Sequence, residues 1–442
     1  MSEKVMRSGP SMLALVLTLA LTLSSGPSHA QPVSPDGGIG FKEFIQAVIE
    51  GNIGLASQKF NVDIADAAIS VAGLAPDPTF TIGYSSYELS RFNLPRSTIA
   101  SLNYTFENPD KRSARVAAAQ ADKSLAEAQL NEYMKTLRLD AANAFIESIR
   151  AHAILVRRKY ALGLFENLEQ QSPKAAKKTP VQTEDRVQLR LELARLRGDY
   201  YQAESDAAVA DRNLNFYLGE SKLNKPGIYA NAGLEMPEIQ FVESELQDNA
   251  LSKRPDLATA DKSLQSARAK SRLARENRNL DLGFTVGVTH TQPLWGIPDA
   301  GGTYSPGSYP MSNGLIASVT IPIPFSLLQD GDLRGPAAAA TQAEIRLREM
   351  QGKARVEAQQ ALIKYRLSHK QVAAYRGGTK DADVLMQDTL KKFAGNETGF
   401  PDIVYYVRTA NEVYFAYLEA LALSAKALVS VYQTSGQWQF DL

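Results

Sequence analysis

Four segments of this chain alternate apolar and small polar residues at period two, and they occur as two pairs in corresponding places of two half-chains. In the first half Phe80, Ile82 and Tyr84 alternate with Thr79, Thr81, Gly83 and Ser85, and Ala100, Leu102, Tyr104 and Phe106 follow at the same period. In the second half Leu282, Phe284, Val286 and Val288 stand between Asp281, Gly283, Thr285, Gly287 and Thr289, and Ala317, Val319, Ile321 and Ile323 follow. The second member of each pair matches its counterpart at one constant offset, Ile99-Ala100-Ser101-Leu102 against Ile316-Ala317-Ser318-Val319. Period-two alternation puts one set of side chains on each face of a strand, so the pattern predicts strands over 79–89, 97–106, 281–290 and 314–323.

An apolar face needs lipid or a core, whereas a face of Ser, Thr, Gly and Asn needs water. Segments of about ten residues with this patterning are the signature of a transmembrane barrel, and they also suit a half-buried antiparallel sheet. Four strands cannot close around water, and an open sheet edge cannot stand in lipid. The membrane reading therefore requires several copies to share one barrel, with Phe80, Ile82, Tyr84, Leu102, Tyr104, Phe284, Val286, Val319 and Ile321 as lipid-facing candidates. The connection 90–96 is short, and 291–313 is long and rich in Gly and Pro, with Trp295, Tyr304 and Tyr309 suited to a membrane interface or an outer loop.

The rest of the pattern is helical. Segments 42–75, 183–217, 241–277 and 403–432 are rich in Ala, Leu, Glu and Arg, and 112–172 and 335–394 are far longer than ordinary helices. About 60 residues of helix run roughly 90 Å, so these two must pack along a rod or tube. Gly352, Gly377 and Gly378 lie inside the second and weaken it locally. Breaks at 172–182, with Lys174, Lys177 and Lys178, and at 395–402 each precede a returning helix, which predicts two helical hairpins.

Charge and composition narrow the function. Lys plus Arg and Asp plus Glu both number 48, so no cationic surplus is available for a nucleic-acid backbone. The absence of Cys excludes disulfides, thiolate ligands and a Cys nucleophile. His29, His152, His290 and His369 are far apart in the sequence and offer no ligand pair, so no resident metal or cofactor is expected. No nucleophile elbow, P-loop or dinucleotide-binding turn is present, and no enzyme activity is expected. At the N-terminus, Lys4 and Arg7, the apolar stretch Met12 to Leu23 and Ser28-His29-Ala30 predict a signal peptide over 1–30. That stretch spans only roughly 18 Å as helix, short of the hydrocarbon core of about 30 Å.

Local motifs then carry a resemblance. Lys253-Arg254-Pro255-Asp256-Leu257 puts Pro and Asp in a first helical turn, where neither forfeits a hydrogen bond and Asp faces the positive helix end. With Leu214-Asn215-Phe216-Tyr217-Leu218-Gly219 and Gly395-Asn396-Glu397-Thr398-Gly399-Phe400-Pro401-Asp402, it resembles motifs of the TolC-like outer-membrane efflux protein family, over essentially the whole chain after residue 30.

The resemblance implies a mainly α fold with a membrane β-barrel: a homotrimer whose four strands per chain form a shared twelve-stranded barrel above a long α-helical barrel. It implies structural repeats over 31–239 and 240–442, an outer-membrane location with the helices in the periplasm, and an exit duct for a tripartite pump. Its partners would be outer-membrane lipid, a periplasmic adaptor and an inner-membrane transporter. The tip positions Lys177, Thr179, Val181, Gly395, Thr398 and Gly399 would then meet the adaptor. Asp402, Asp185 and Tyr405 would lie at the periplasmic aperture, where Asp402 equally suits a cap for a helix from Ile403 and Asp185 a first-turn acid.

Asn108-Pro109-Asp110-Lys111-Arg112 faintly resembles a junction of the cation-efflux branch, an inclination toward metal ions that leaves organic compounds and secreted proteins open as cargo. A soluble periplasmic coiled-coil scaffold or adaptor, its strands forming a small ordinary domain, is the alternative of another class.

Overall fold

The structure is a computed structural model that describes residues 38–86, 96–171, 181–219, 228–236, 238–292, 312–323, 329–394 and 398–437. The elements are β1 (Gly38–Ile39), α1 (Phe41–Gly51), α2 (Ile53–Ala72), β2 (Thr79–Ser86), β3 (Arg96–Phe106), α3 (Pro109–Gln171) and α4 (Val181–Tyr217). They continue with β4 (Tyr229–Ala230), α5 (Glu243–Ser252), α6 (Pro255–Glu276), β5 (Leu282–Gln292), β6 (Ser312–Thr320), α7 (Gly331–Ala394) and α8 (Phe400–Thr434). The expected signal peptide, the turn after β2, the long loop after β5 with its aromatics, and tip positions Lys177, Thr179 and Gly395 lie outside the described residues.

The four alternating segments form one antiparallel sheet in the order β2-β3-β5-β6. The two hairpins join through β3 and β5, with Tyr104 opposite Phe284 and Leu102 opposite Val286. Phe80 opposes Leu102 across β2, and Phe284 opposes Val319 across β6, so the predicted apolar residues share a face. Within the chain, β2 and β6 each pair on one side only. The observed strand ends differ from expectation: β5 and β6 meet closer to the loop, and Ile321 and Ile323 lie beyond β6.

The long helices are continuous. α3 has 63 residues and α7 has 64, which by helical rise is about 95 Å each. Gly352, Gly377 and Gly378 do not interrupt α7, because surrounding turns supply the hydrogen bonds that a glycine only weakens. The segments 42–75 and 241–277 are each two helices. Asn52 ends α1 and caps α2, its Oδ1 accepting from the Leu55 N–H at 3.0 Å. In the second case α5 stops at Ser252, and α6 restarts with Pro255 in its first turn.

Two cores hold the helices together. One gathers Phe41, Phe44 and Val48 of α1, Phe145 and Ile146 of α3, Leu214 of α4, Leu362 and Tyr365 of α7, and Leu428 and Val431 of α8. The two-residue strands β1 and β4 pair in parallel over this core, a contact too short to show as alternation. The second core joins both helical hairpins through Phe165 of α3, Leu189, Leu193 and Leu196 of α4, Met386 of α7, and Phe400, Ile403 and Val407 of α8. Helix α8 is long and apolar enough to cross a membrane by length and composition, yet 56% of its most apolar window is buried inside the fold.

Candidate functional site

The sheet presents its apolar side outward. Phe80, Ile82, Tyr84, Leu102, Phe106, Val286, Val288 and Val319 are all more than half exposed, and Tyr104 and Phe284 are about two-fifths exposed. The opposite face is polar and hydrogen-bonded across strands. Asn103 Nδ2 donates to Thr81 Oγ1 at 3.0 Å, while Thr285 Oγ1 donates to Asn103 Oδ1 at 2.8 Å. An uncovered band of aliphatic and aromatic side chains backed by a hydrated face is stable only where the band meets lipid or another apolar surface.

Where β3 passes into α3, a knot of charges braces strand to helix. Lys111 Nζ reaches Asp281 Oδ2 at 2.7 Å, and Asp281 Oδ1 also accepts from the Asn108 N–H at 3.1 Å. Burial would raise the Asp281 pKa, but the Lys111 and Asn108 hydrogen bonds outweigh it and hold the carboxyl below its usual range. Arg115 forks onto Glu107 and donates to the carbonyls of Ala72 and Leu74 at 2.8 and 2.9 Å, tying α3 to the end of α2. Hydrogen bonding from Arg115 lowers the Glu107 pKa. The Asn108-to-Arg112 motif is thus in large part a mechanical joint.

At the far end of the long helices Asp402 does not precede the helix it was expected to cap. Helix α8 starts at Phe400, and Asp402 is its third residue, with Oδ2 accepting from Gly399 N–H at 3.4 Å and from Thr398 Oγ1 at 2.9 Å. Because Pro401 cannot supply an N–H, starting one turn earlier loses little, and the carboxylate reaches back over the helix start. Tyr405, one turn on, is exposed and stacks edge-on against Tyr406, with ring centroids 5.3 Å apart. Asp185 is half-buried in the first turns of α4, which begins at Val181. Leu189, one turn beyond Asp185, shares the second core with Ile403, next to Asp402, so the fold brings both acids to one end of the helical body.

Sequence patterning did not single out Glu192. Its side chain is buried beside the second core and accepts from Arg195 Nη2 at 2.7 Å and from Arg408 Nη2 at 2.7 Å, linking α4 to α8. Burial pushes its pKa up, but the two guanidinium groups outweigh this and hold it below the ordinary value. The i, i+3 spacing of Glu192 and Arg195 was legible; Arg408, over two hundred residues later, was not.

Near the first core Ser148 Oγ and His152 Nε2 both contact Asp211, at 2.9 and 3.0 Å, and Ser148 Oγ accepts from the Ala230 N–H at 3.2 Å. Ser148 is turned to the carboxylate rather than to the imidazole, so the trio is a strut under β4 and not an activated nucleophile. Among the described residues no group of three or more His, Cys, Asp or Glu could hold a metal ion.

No family model and no curated protein matches the sequence. Solved structures do match. The Campylobacter jejuni CmeC outer membrane channel aligns with a TM-score of 0.71 at 12% identity, over 90% of this chain and 85% of that one. The open state of the Neisseria gonorrhoeae MtrE outer membrane channel gives 0.71 at 17% identity, over 90% and 89%. CusC gives 0.66 at 16% identity, over 90% and 92%. The chain therefore has the fold of the TolC-like outer-membrane channels.

Proposed function

We propose that this chain is the outer-membrane exit duct of a tripartite efflux system, working as a homotrimer with a shared twelve-stranded barrel. The observation that carries the reading is the four-stranded antiparallel sheet with an uncovered apolar face and two unpaired edges, joined to helices of about 95 Å. Open edges in lipid require partners, and copies of the same sheet supply them with matched register and matched faces. A soluble scaffold would need a cover over that face, and no described element provides one.

The reading as two repeats, 31–239 and 240–442, draws support from two matching joints. Gly219, after α4, abuts Gly51 at the end of α1; Gly436, after α8, abuts Lys253 at the end of α5. At the helical tips, Lys177, Thr179, Val181, Gly395, Thr398 and Gly399 would meet the periplasmic adaptor, which leads to the inner-membrane transporter. Three copies of Asp402, with Asp185 and Tyr405 near, would line the aperture and attract cations.

The favoured cargo is metal cations, on the resemblance of the 108–112 junction alone; organic compounds are the alternative. Membrane fractionation and light scattering in detergent test the duct, with a trimer that needs detergent as the expected result and a detergent-free monomer as the refuting one. Growth of a deletion strain on divalent metals, dyes, detergents and antibiotics tests the cargo. Sensitivity confined to metals is expected, and broad sensitivity to organic compounds would transfer the duct to multidrug export.

A further inference from the structure

At the foot of β3, just where the apolar band of the sheet ends, lies a cleft of about 570 Å³. One side is apolar, formed by Tyr104, Phe106 and Val116; the other is polar, formed by Arg112, Ser113, Gln120 and the buried Glu107, whose carboxylate Arg115 and Arg112 neutralise. Tyr104 and Phe106 belong to the same face as Leu102, so the apolar wall continues the outward band without a break. We propose that this cleft binds a phospholipid of the periplasmic leaflet, with Arg112 holding the headgroup phosphate and Tyr104 and Phe106 flanking the first acyl carbons. The proposal rests on the membrane reading above.

The charges at the junction show why Arg112 is the anion-binding group. Lys111 is bound to Asp281 at 2.7 Å, and Arg115 occupies Glu107 through two hydrogen bonds. Arg112 also pairs with the Glu107 carboxylate, its Nε 3.6 Å from Oε2, so two guanidinium groups share one buried carboxylate and leave a positive charge in excess, with the Arg112 side chain 40% exposed. Its buried Nε has no hydrogen-bond partner. That Nε faces Glu107 and is closed to a ligand; the part-exposed remainder of the guanidinium, carrying the excess charge, suits the paired oxygens of a phosphate. A wall of Tyr and Phe at headgroup level suits the glycerol and upper acyl region, where amphipathic rings settle. A free inorganic phosphate would use only the polar half of the cleft.

The test uses the full chain, extracted from outer membranes, delipidated in detergent and titrated with short-chain phosphatidylglycerol, the matching diacylglycerol and inorganic phosphate, with bound species counted by native mass spectrometry. The unsubstituted chain should bind the phospholipid about tenfold more tightly than diacylglycerol, Arg112→Gln should lose about tenfold, and Arg112→Lys should stay within about threefold. Gln120→Glu, at an exposed position on the polar wall, should weaken binding by repelling phosphate, and it serves if Arg112→Gln fails to fold. Equal phospholipid binding by unsubstituted chain and Arg112→Gln, equal binding of diacylglycerol, or saturation by phosphate alone would each overturn the site. Failure of the chain to enter membranes would instead sink the duct reading. A normal membrane trimer indifferent to Arg112 would sink this inference only.

Discussion

The charged side chains of this fold work mainly as joints, and Glu192 is the one whose loss should be felt furthest. Its carboxyl joins α4 to α8 through Arg408 beside the second core. Glu192→Ala should lower stability by about 1–2 kcal/mol, the value of charge-assisted hydrogen bonds whose two arginines can still reach water. The pH dependence follows from its lowered pKa. The stabilisation is complete above the unfolded carboxylate value, near pH 4.3, and is lost as pH falls through the lower folded value. Hydrogen exchange in 189–196 and 403–410 should be flat from about pH 7 to 5 after correction for intrinsic rates and accelerate below about 4, a step that Glu192→Gln abolishes. Two glycines act at the same scale. Gly219 has φ +89°, and a Cβ there would overlap the Gly51 carbonyl; Gly436 has φ +71° and would strike the Lys253 backbone. Gly219→Ala and Gly436→Ala should each destabilise by more than about 1 kcal/mol, read as a lower thermal midpoint.

Among the elements, the strands and the long helices make opposite predictions. Arg at Val286, on the uncovered face, should cost about 2–4 kcal/mol in a bilayer near its midplane, while Arg at Thr289, on the polar face, should cost far less. Folding into vesicles of stated composition measures both; equal, small penalties would show that the face meets water. In α7, Gly352 has nothing within 4 Å of an added Cβ, so Gly352→Ala should stabilise the helix by about 0.5–1 kcal/mol. At Gly378 an added Cβ would stand 3.3 Å from Val413 Cγ1, a tight contact, so Gly378→Ala should gain less. A raised thermal midpoint for the first and little change for the second is the expected pair of results. The two-residue strands β1 and β4 left no pattern in the sequence, whereas the type of the long elements was readable because period two and the long Ala-rich runs are local properties. Element ends were not: Asn52 divides what reads as one helix, since a cap depends on a side-chain hydrogen bond that hydrophobic periodicity does not record.

For the whole molecule, the unpaired edges of β2 and β6 carry the argument for assembly. Removing β6 should leave the helical body folded on its two cores while abolishing the membrane oligomer, measured by light scattering in detergent together with helical circular dichroism. A trimer that survives the loss of β6 would place the assembly contact on the helices instead. The candidate tip acids were legible as acids, and Leu189 and Ile403 in one core bring their helices together at one end. No sequence spacing could express that proximity.

Alternating patterns and uninterrupted helical runs, properties of neighbouring residues, by themselves determined that this chain makes four strands with one apolar face and two very long helices. Only the tertiary structure decided that β3 pairs with β5, that Glu192 meets Arg408, and that Arg115 and Arg112 both turn to Glu107, Arg115 by two hydrogen bonds. Each of those pairings joins groups by distance and orientation in three dimensions, and the partner is selected by the packing of whole helices, which no local period encodes.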